Sequence, residues 1–172
     1  MSTPMYQAYL HHCNTQSDIQ HHLPLLFSLA KGHVVELGTR SGVSTAALLA
    51  GVERHGGKVT SIDVDPQSAQ VALGHPQWTF LNASSTDLTT RGKAGGPIDL
   101  LLIDTLHTYG HVTAELEVWA SAMQLGGTIA VHDTETFPGV RVAIEEFCQA
   151  KAWPVTFVRP CNGMGVIEVP TT

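Results

Sequence analysis

Lysine and arginine are scarce in this 172-residue chain: nine stand against fifteen aspartates and glutamates, for a formal charge of −6. That deficit leaves no basic footprint for a nucleic-acid backbone, so nucleic acid is not an expected partner. Cysteine is scarce too, with Cys13, Cys148 and Cys161 alone. Three thiols make no disulfide framework, and the start Met1-Ser2-Thr3-Pro4-Met5-Tyr6 lacks the basic and apolar blocks of a signal peptide; a reducing, cytoplasmic setting is expected. No apolar run nears the roughly 20 residues of a membrane span, which excludes a membrane partner. Repeats and low-complexity tracts are missing. So is the G-x-G-x-x-G of a pyrophosphate-binding turn, which disfavours an NAD-dependent oxidoreductase. What is present is an ordinary globular composition, 43% hydrophobic and 14% charged, at a length that fits one domain over residues 1–172. Small molecules are the expected partners, with a homo-oligomer left open.

The chain is organised around Val34-Val35-Glu36-Leu37-Gly38-Thr39-Arg40-Ser41-Gly42-Val43-Ser44. A β-branched run gives way to a tight turn with glycines four apart, and Thr45-Ala46-Ala47-Leu48-Leu49-Ala50 continues as a helix. At the carboxyl end of a first parallel strand, such a turn lets backbone lie against a ligand where a side chain would collide. Glu36, two residues before Gly38, repels a diphosphate and suits a cationic ligand. S-adenosylmethionine, with an ammonium, a sulfonium and no phosphate, fits.

Residues 5–13 and 18–30 read as helices, the second with Ser17 as N-cap and Pro24 as a kink or break. Residues 1–31 thus form an N-terminal helical cap, either packing through Leu23, Leu25, Leu26, Phe27 and Leu29 or covering the site. The pairs His11-His12 and His21-His22 are no metal face, because adjacent helical residues point about 100° apart. Downstream, strands at 58–62, 78–81, 98–103, 128–131, 155–158 and 165–169 alternate with helices from Pro66, around Asp87, over 109–123 and over 140–150. The expected fold is α/β: a Rossmann-like, seven-stranded, doubly wound sheet, mostly parallel, with a final hairpin that turns one edge strand antiparallel.

Ligands in such sheets bind beyond the carboxyl ends of the strands, which is where Glu36, Asp63, Ser84, Asp104 and Asp133 fall. Asp63 closes the second strand, placed to accept hydrogen bonds from both ribose hydroxyls. Residues 82–85 offer small polar groups to an adenine edge, or form a plain loop. Asp104 and Asp133 can face one another and hold a hard divalent cation through oxygen. The alternative is that Asp104 holds the cofactor's ammonium and Asp133 caps a loop.

The set Glu36-Leu37-Gly38-x-x-x-Gly42-Val43-Ser44, Ile62-Asp63-x-Asp65-Pro66, Ala83-Ser84-Ser85, Ile103-Asp104-x-x-His107 and Gly127-Thr128-x-x-x-x-Asp133 resembles the class I S-adenosylmethionine-dependent methyltransferases. It is most similar to O-methyltransferases of the catechol O-methyltransferase type and to antibiotic and sugar O-methyltransferase relatives. The resemblance implies O-methylation of a small-molecule hydroxyl. By it, Glu36, Gly38 and Gly42 line the methionine end, Ser44 lies near its carboxylate, Asp63 takes the ribose, and Ser84 with Ser85 the adenine. It makes Asp104 and Asp133 ligands of Mg2+, with Thr134 where a third ligand, asparagine, is common and His132 where some relatives have glutamate. His107 stands at the family's catalytic lysine, and imidazole is a suitable base; His111 is a second candidate. The alternatives are a cofactor-binding protein of the same fold without methyl transfer, or an aminopropyl-type transferase.

Overall fold

The computed structural model describes residues 3–172; Met1 and Ser2, the first residues of the expected cap, lie outside the described residues. Proline and a cap start the first helix, α1 (Pro4–Cys13): Pro4 occupies the first turn, where its missing N–H costs nothing, and the Thr3 hydroxyl accepts the Tyr6 amide. A 3-10 turn, Gln20–His22, leads into α2 (Leu23–Leu29), so Pro24 breaks the expected helix of 18–30 by starting its second piece. Ser17 is not a cap: its amide donates to Gln20 Oε1 and its hydroxyl has no partner.

The β-branched run becomes β1 (Gly32–Leu37) and the alanine-leucine segment α3 (Val43–His55). Next come β2 (Gly57–Asp63), a 3-10 turn Pro66–Gln70 where a full helix was expected, and β3 (Trp78–Asn82). Then follow α4 (Leu88–Ala94), β4 (Ile98–Ile103) and α5 (Tyr109–Trp119). The helix expected to reach residue 123 stops at Trp119, because Met123 already pairs with Ile98 and opens β5 (Met123–His132). Gly126 and Gly127 therefore lie within that strand, at an irregularity, rather than before it. The chain ends with α6 (Pro138–Lys151), β6 (Val155–Val158) and β7 (Met164–Glu168).

The sheet has seven strands in the order β3-β2-β1-β4-β5-β7-β6. β1 to β5 are parallel, and β7 runs antiparallel to both β5 and β6. Alternate residues of the central strands feed two cores, as a sheet covered on both faces requires. Val34, Leu100 and Leu102 pack with α1, α2 and α3, whereas Val35, Leu101 and Ile103 pack with α5 and α6. The N-terminal helices thus cover one face of the sheet through Tyr9, Leu23 and Leu26. The chain leaves β1 toward β2 and β3, then returns to place β4 on the other side of β1. That reversal opens a crevice at the β1 and β4 carboxyl ends, where ligands bind in open α/β sheets. Among the described residues no helix is long and apolar enough to cross a membrane.

Candidate active site

Two glycines shape the turn after β1. Gly38 has φ +90°, and a Cβ there would lie 2.0 Å from the Asp104 carbonyl oxygen; only glycine lets β1 and β4 close this tightly. Gly42, at φ +81°, is the residue from which α3 starts. Glu36 lies beneath the turn and is fully buried. Its carboxylate accepts from Ser44 Oγ (2.6 Å), Thr45 Oγ1 (2.8 Å) and Ser61 Oγ (2.5 Å). Burial raises its pKa to about 7, against the three hydroxyls that favour the charge. The structure thus joins Glu36 to Ser44 as an internal tie between β1, β2 and α3.

Above the turn lies a cavity of about 380 Å³ lined by Gly38, Asp63, Ser84, Ser85, Asp104 and His111 among others. Glu36, Gly42 and Ser44 are not in its wall. Asp63 is bound into the turn: Oδ2 accepts the Thr39 and Arg40 amides (2.8 and 2.9 Å) and Oδ1 the Asp65 amide (2.9 Å). Partial burial pushes its pKa up, but these amides outweigh it and hold the carboxylate below its usual value. Ser84 bonds Thr86 and stays at the surface, whereas Ser85 is buried with its hydroxyl 3.4 Å from His111 Nε2. Buried Glu115, which sequence reasoning missed, lies 2.8 Å from Thr105 Oγ1 and 3.3 Å from His111 Nε2. A larger hollow, about 560 Å³, lies between α5 and α6 and is lined by none of the strand-end residues.

At the other side of Asp104 four side chains converge. His107 Nε2 lies 2.7 Å from Asp133 Oδ2 and 3.5 Å from Asp104 Oδ1. His132 Nδ1 meets the same two oxygens at 3.3 and 3.4 Å. The carboxylates push His107 up to about 9; they raise His132 to about 10, overcoming burial that opposes its charge. Asp104 and Asp133 are held below the usual range by the same imidazoles, again against burial. A ring so placed holds a proton at neutral pH. Yet neither His107 Nε2 nor His132 Nδ1 makes an aligned hydrogen bond, although both are buried. Asp104, His107 and Asp133 each present a donor atom within 4.8 Å of the others, close enough to share one ion. The Thr134 hydroxyl is buried without a partner.

Two further contacts position this group. Asn162, in the β6–β7 turn, donates from Nδ2 to Asp133 Oδ1 at 2.8 Å. The Asp18 carbonyl lies 3.1 Å from His132 Nε2. Asp133 itself has φ +68°, a strained backbone for an aspartate, which turns its carboxylate back toward β4. The ring of Phe137 lies over His107, centroids 4.6 Å apart. Asn162 carries no signal in the sequence beyond the Asn162-Gly163 pair of a turn between the last two strands.

A family profile described as the methyltransferase domain matches residues 35–134. No curated protein matches the chain significantly. Several solved structures share its fold. One is a Staphylococcus aureus protein provisionally described as a caffeoyl-CoA O-methyltransferase, at 13% identity and a TM-score of 0.72 over 95% of this chain and 97% of that one. Another is the SAH-bound Podospora anserina methyltransferase PaMTH1, at 11% identity and 0.70 over 95% and 86%. An rRNA methylase from Streptococcus thermophilus has 16% identity and a TM-score of 0.66 over 90% and 98%. With the profile spanning more than half of the sequence and the fold shared across nearly all of it, the chain belongs to the class I S-adenosylmethionine-dependent methyltransferases.

Proposed function

We propose that the protein transfers the methyl group of S-adenosylmethionine to a hydroxyl oxygen of a small molecule. One observation carries this reading: Asp104 lines the cofactor-sized cavity and also belongs to the Asp104–His107–Asp133 cluster, so a methyl donor in the cavity faces groups able to take a hydroxyl proton. The bound cofactor supplies a methyl carbon activated by the sulfonium. Asp63 takes the ribose, Ser84 and Ser85 the adenine, and Gly38 and Asp104 the methionine end. Glu36, Gly42 and Ser44 support that end from beneath by fixing the turn. Phe137, whose ring lies over His107, shields the acceptor side from water. As the acceptor oxygen bonds to the methyl carbon, the carbon–sulfur bond breaks and its electron pair stays on sulfur; His107 takes the hydroxyl proton in its neutral form, which its pKa of about 9 makes the minor form at neutral pH. Asp104 and Asp133 would hold a divalent ion, which supplies acidification of that hydroxyl.

The formal charge of −6 favours a small acceptor over the ribosomal RNA of the Streptococcus methylase. The three unpaired cysteines support a reducing, cytoplasmic setting. The test is calorimetry with S-adenosylhomocysteine and NAD, followed by methyl-labelled cofactor with hydroxylated acceptors. Binding of the methionine-derived ligand and label in an ether product are expected. NAD binding alone, or label passing to RNA or to an amine instead, overturns the reading.

A further inference from the structure

S-adenosylmethionine brings three charged groups to its site: a sulfonium, an ammonium and a carboxylate. The two acids in the cavity wall, Asp63 and Asp104, can serve only its hydroxyls and its positive groups. The resemblance sets Ser44 near the carboxylate, but the Ser44 hydroxyl is engaged with buried Glu36 at 2.6 Å and does not reach the wall. The anion of the ligand is left without a holder.

Arg40 is the one lysine or arginine in the same wall. Its backbone and its side chain are tied to opposite sides of the crevice. The Arg40 amide donates to Asp63 at the end of β2, whereas Nη1 lies 3.8 Å from Oδ2 of Asp18. Asp18 in turn places its carbonyl 3.1 Å from His132 Nε2 at the end of β5. Since β1 and β4 stand between β2 and β5, the arginine side chain crosses the carboxyl ends of β1 and β4, on the side of Gly38 and Asp104. That is the methionine end, away from the ribose at Asp63. The guanidinium is largely exposed, at 77% of its side chain, and 3.8 Å is beyond hydrogen-bond length, so Asp18 draws it across the crevice without occupying its donors. Arg40 also has φ +44°, a left-handed backbone that strains an arginine and relaxes a glycine or an asparagine. The turn alone would be better served by glycine, so what the arginine contributes is its side chain.

We propose that the Arg40 guanidinium binds the α-carboxylate of the cofactor's methionine moiety. A guanidinium presents paired N–H groups to the two oxygens of a carboxylate, a match that the ammonium of a lysine cannot reproduce. The wall then sets one positive and two negative side chains against the two positive groups and one negative group of the cofactor. The proposal deepens the cofactor reading given above and rests on it.

The test is calorimetry on the full chain with two probes: S-adenosylhomocysteine, and its decarboxylated analogue, which keeps the adenosine, the thioether and the amine. Wild type should bind the first at least about tenfold more tightly than the second, as a charged, paired hydrogen bond implies. R40N suits the turn, because asparagine tolerates a positive φ, and it should stay folded, since no hydrogen bond of the side chain is lost. In R40N the affinity for S-adenosylhomocysteine should fall about tenfold or more while the analogue binds within about twofold of wild type, so the preference disappears. R40K should recover part of the preference, having the charge without the paired donors. A preference that survives in R40N, an equal loss for both probes in that variant, or equal binding of both by wild type overturns the proposal and leaves the cofactor reading standing. Wild type that binds neither probe overturns the cofactor reading, and the proposal with it.

Discussion

Asp63 gathers three backbone N–H groups at the turn while keeping a lone pair on Oδ1 for a ligand. Removing it therefore has two effects that separate in experiment. Asp63→Ala is expected to weaken S-adenosylhomocysteine binding by about 2–3 kcal/mol in calorimetry, the range for losing hydrogen bonds to a charged acceptor. It should also lower the unfolding temperature, because three amides lose their partner. Unchanged affinity in the folded variant would remove Asp63 from the ribose site. Glu36 gives a pH signature. Its folded pKa, about 7, lies above the ordinary value of 4.5 that it has in the unfolded chain, so both states are protonated below 4.5 and the unfolded state loses its proton first as pH rises. Stability from this group is then fully present below 4.5 and declines toward 7, at up to about 1.4 kcal/mol per pH unit. Histidines titrate nearby, so the comparison is with Glu36→Gln. Between pH 5 and 6.5 the wild-type unfolding free energy should fall relative to that variant by about 2 kcal/mol, measured by denaturant titration. A constant difference would show that Glu36 is charged in the fold at both pH values.

At the scale of elements, the strand–turn–helix unit depends on the closeness of β1 to β4. A Cβ at residue 38 meets the carbonyl of Asp104, which is backbone and cannot rotate aside, and φ +90° strains any L side chain. Gly38→Ala should cost about 2–3 kcal/mol or more in unfolding free energy and abolish cofactor binding, since relief of the clash moves Asp104 away from the cavity. Binding retained at wild-type strength would mean that the wall does not depend on this contact. This unit was legible in the sequence because all of it is local: β-branched strand, spaced glycines and alanine-leucine helix follow one another. The ends of β2, β4 and β5 were legible for the same reason, as apolar runs stopping at an aspartate. The direction of a side chain past a strand end was not. Glu36 and Ser44 turn inward to each other, and Gly42 serves the helix start, because their partners Thr45 and Ser61 come from α3 and β2, and pairing between elements leaves no trace in spacing.

At the scale of the molecule, the proposed acceptor end is assembled from four distant parts of the chain. β4 supplies Asp104 and leads to His107, β5 supplies His132 and Asp133, the N-terminal segment gives the Asp18 carbonyl, and the last hairpin gives Asn162. The hairpin reaches the centre because β7 inserts antiparallel beside β5 and pairs Met164 with His132, which brings the β6–β7 turn over the β5 carboxyl end. An edge hairpin read from the sequence as completing the sheet thus also orients a carboxylate in the site. Asn162→Ala tests that coupling. It leaves Oδ1 of Asp133, a buried and charged acceptor, without its donor, which should cost about 1–3 kcal/mol of stability. It also frees the Asp133 side chain to rotate, so turnover should fall about tenfold or more. S-adenosylhomocysteine affinity should stay within about twofold, because Asn162 is not among the residues lining the cofactor cavity. Asn162→Asp should be worse in both stability and turnover, since it sets a like charge against Asp133. Turnover unchanged in Asn162→Ala would detach the hairpin from the chemistry. Equal losses of cofactor affinity and turnover would show instead that the hairpin acts on the whole crevice.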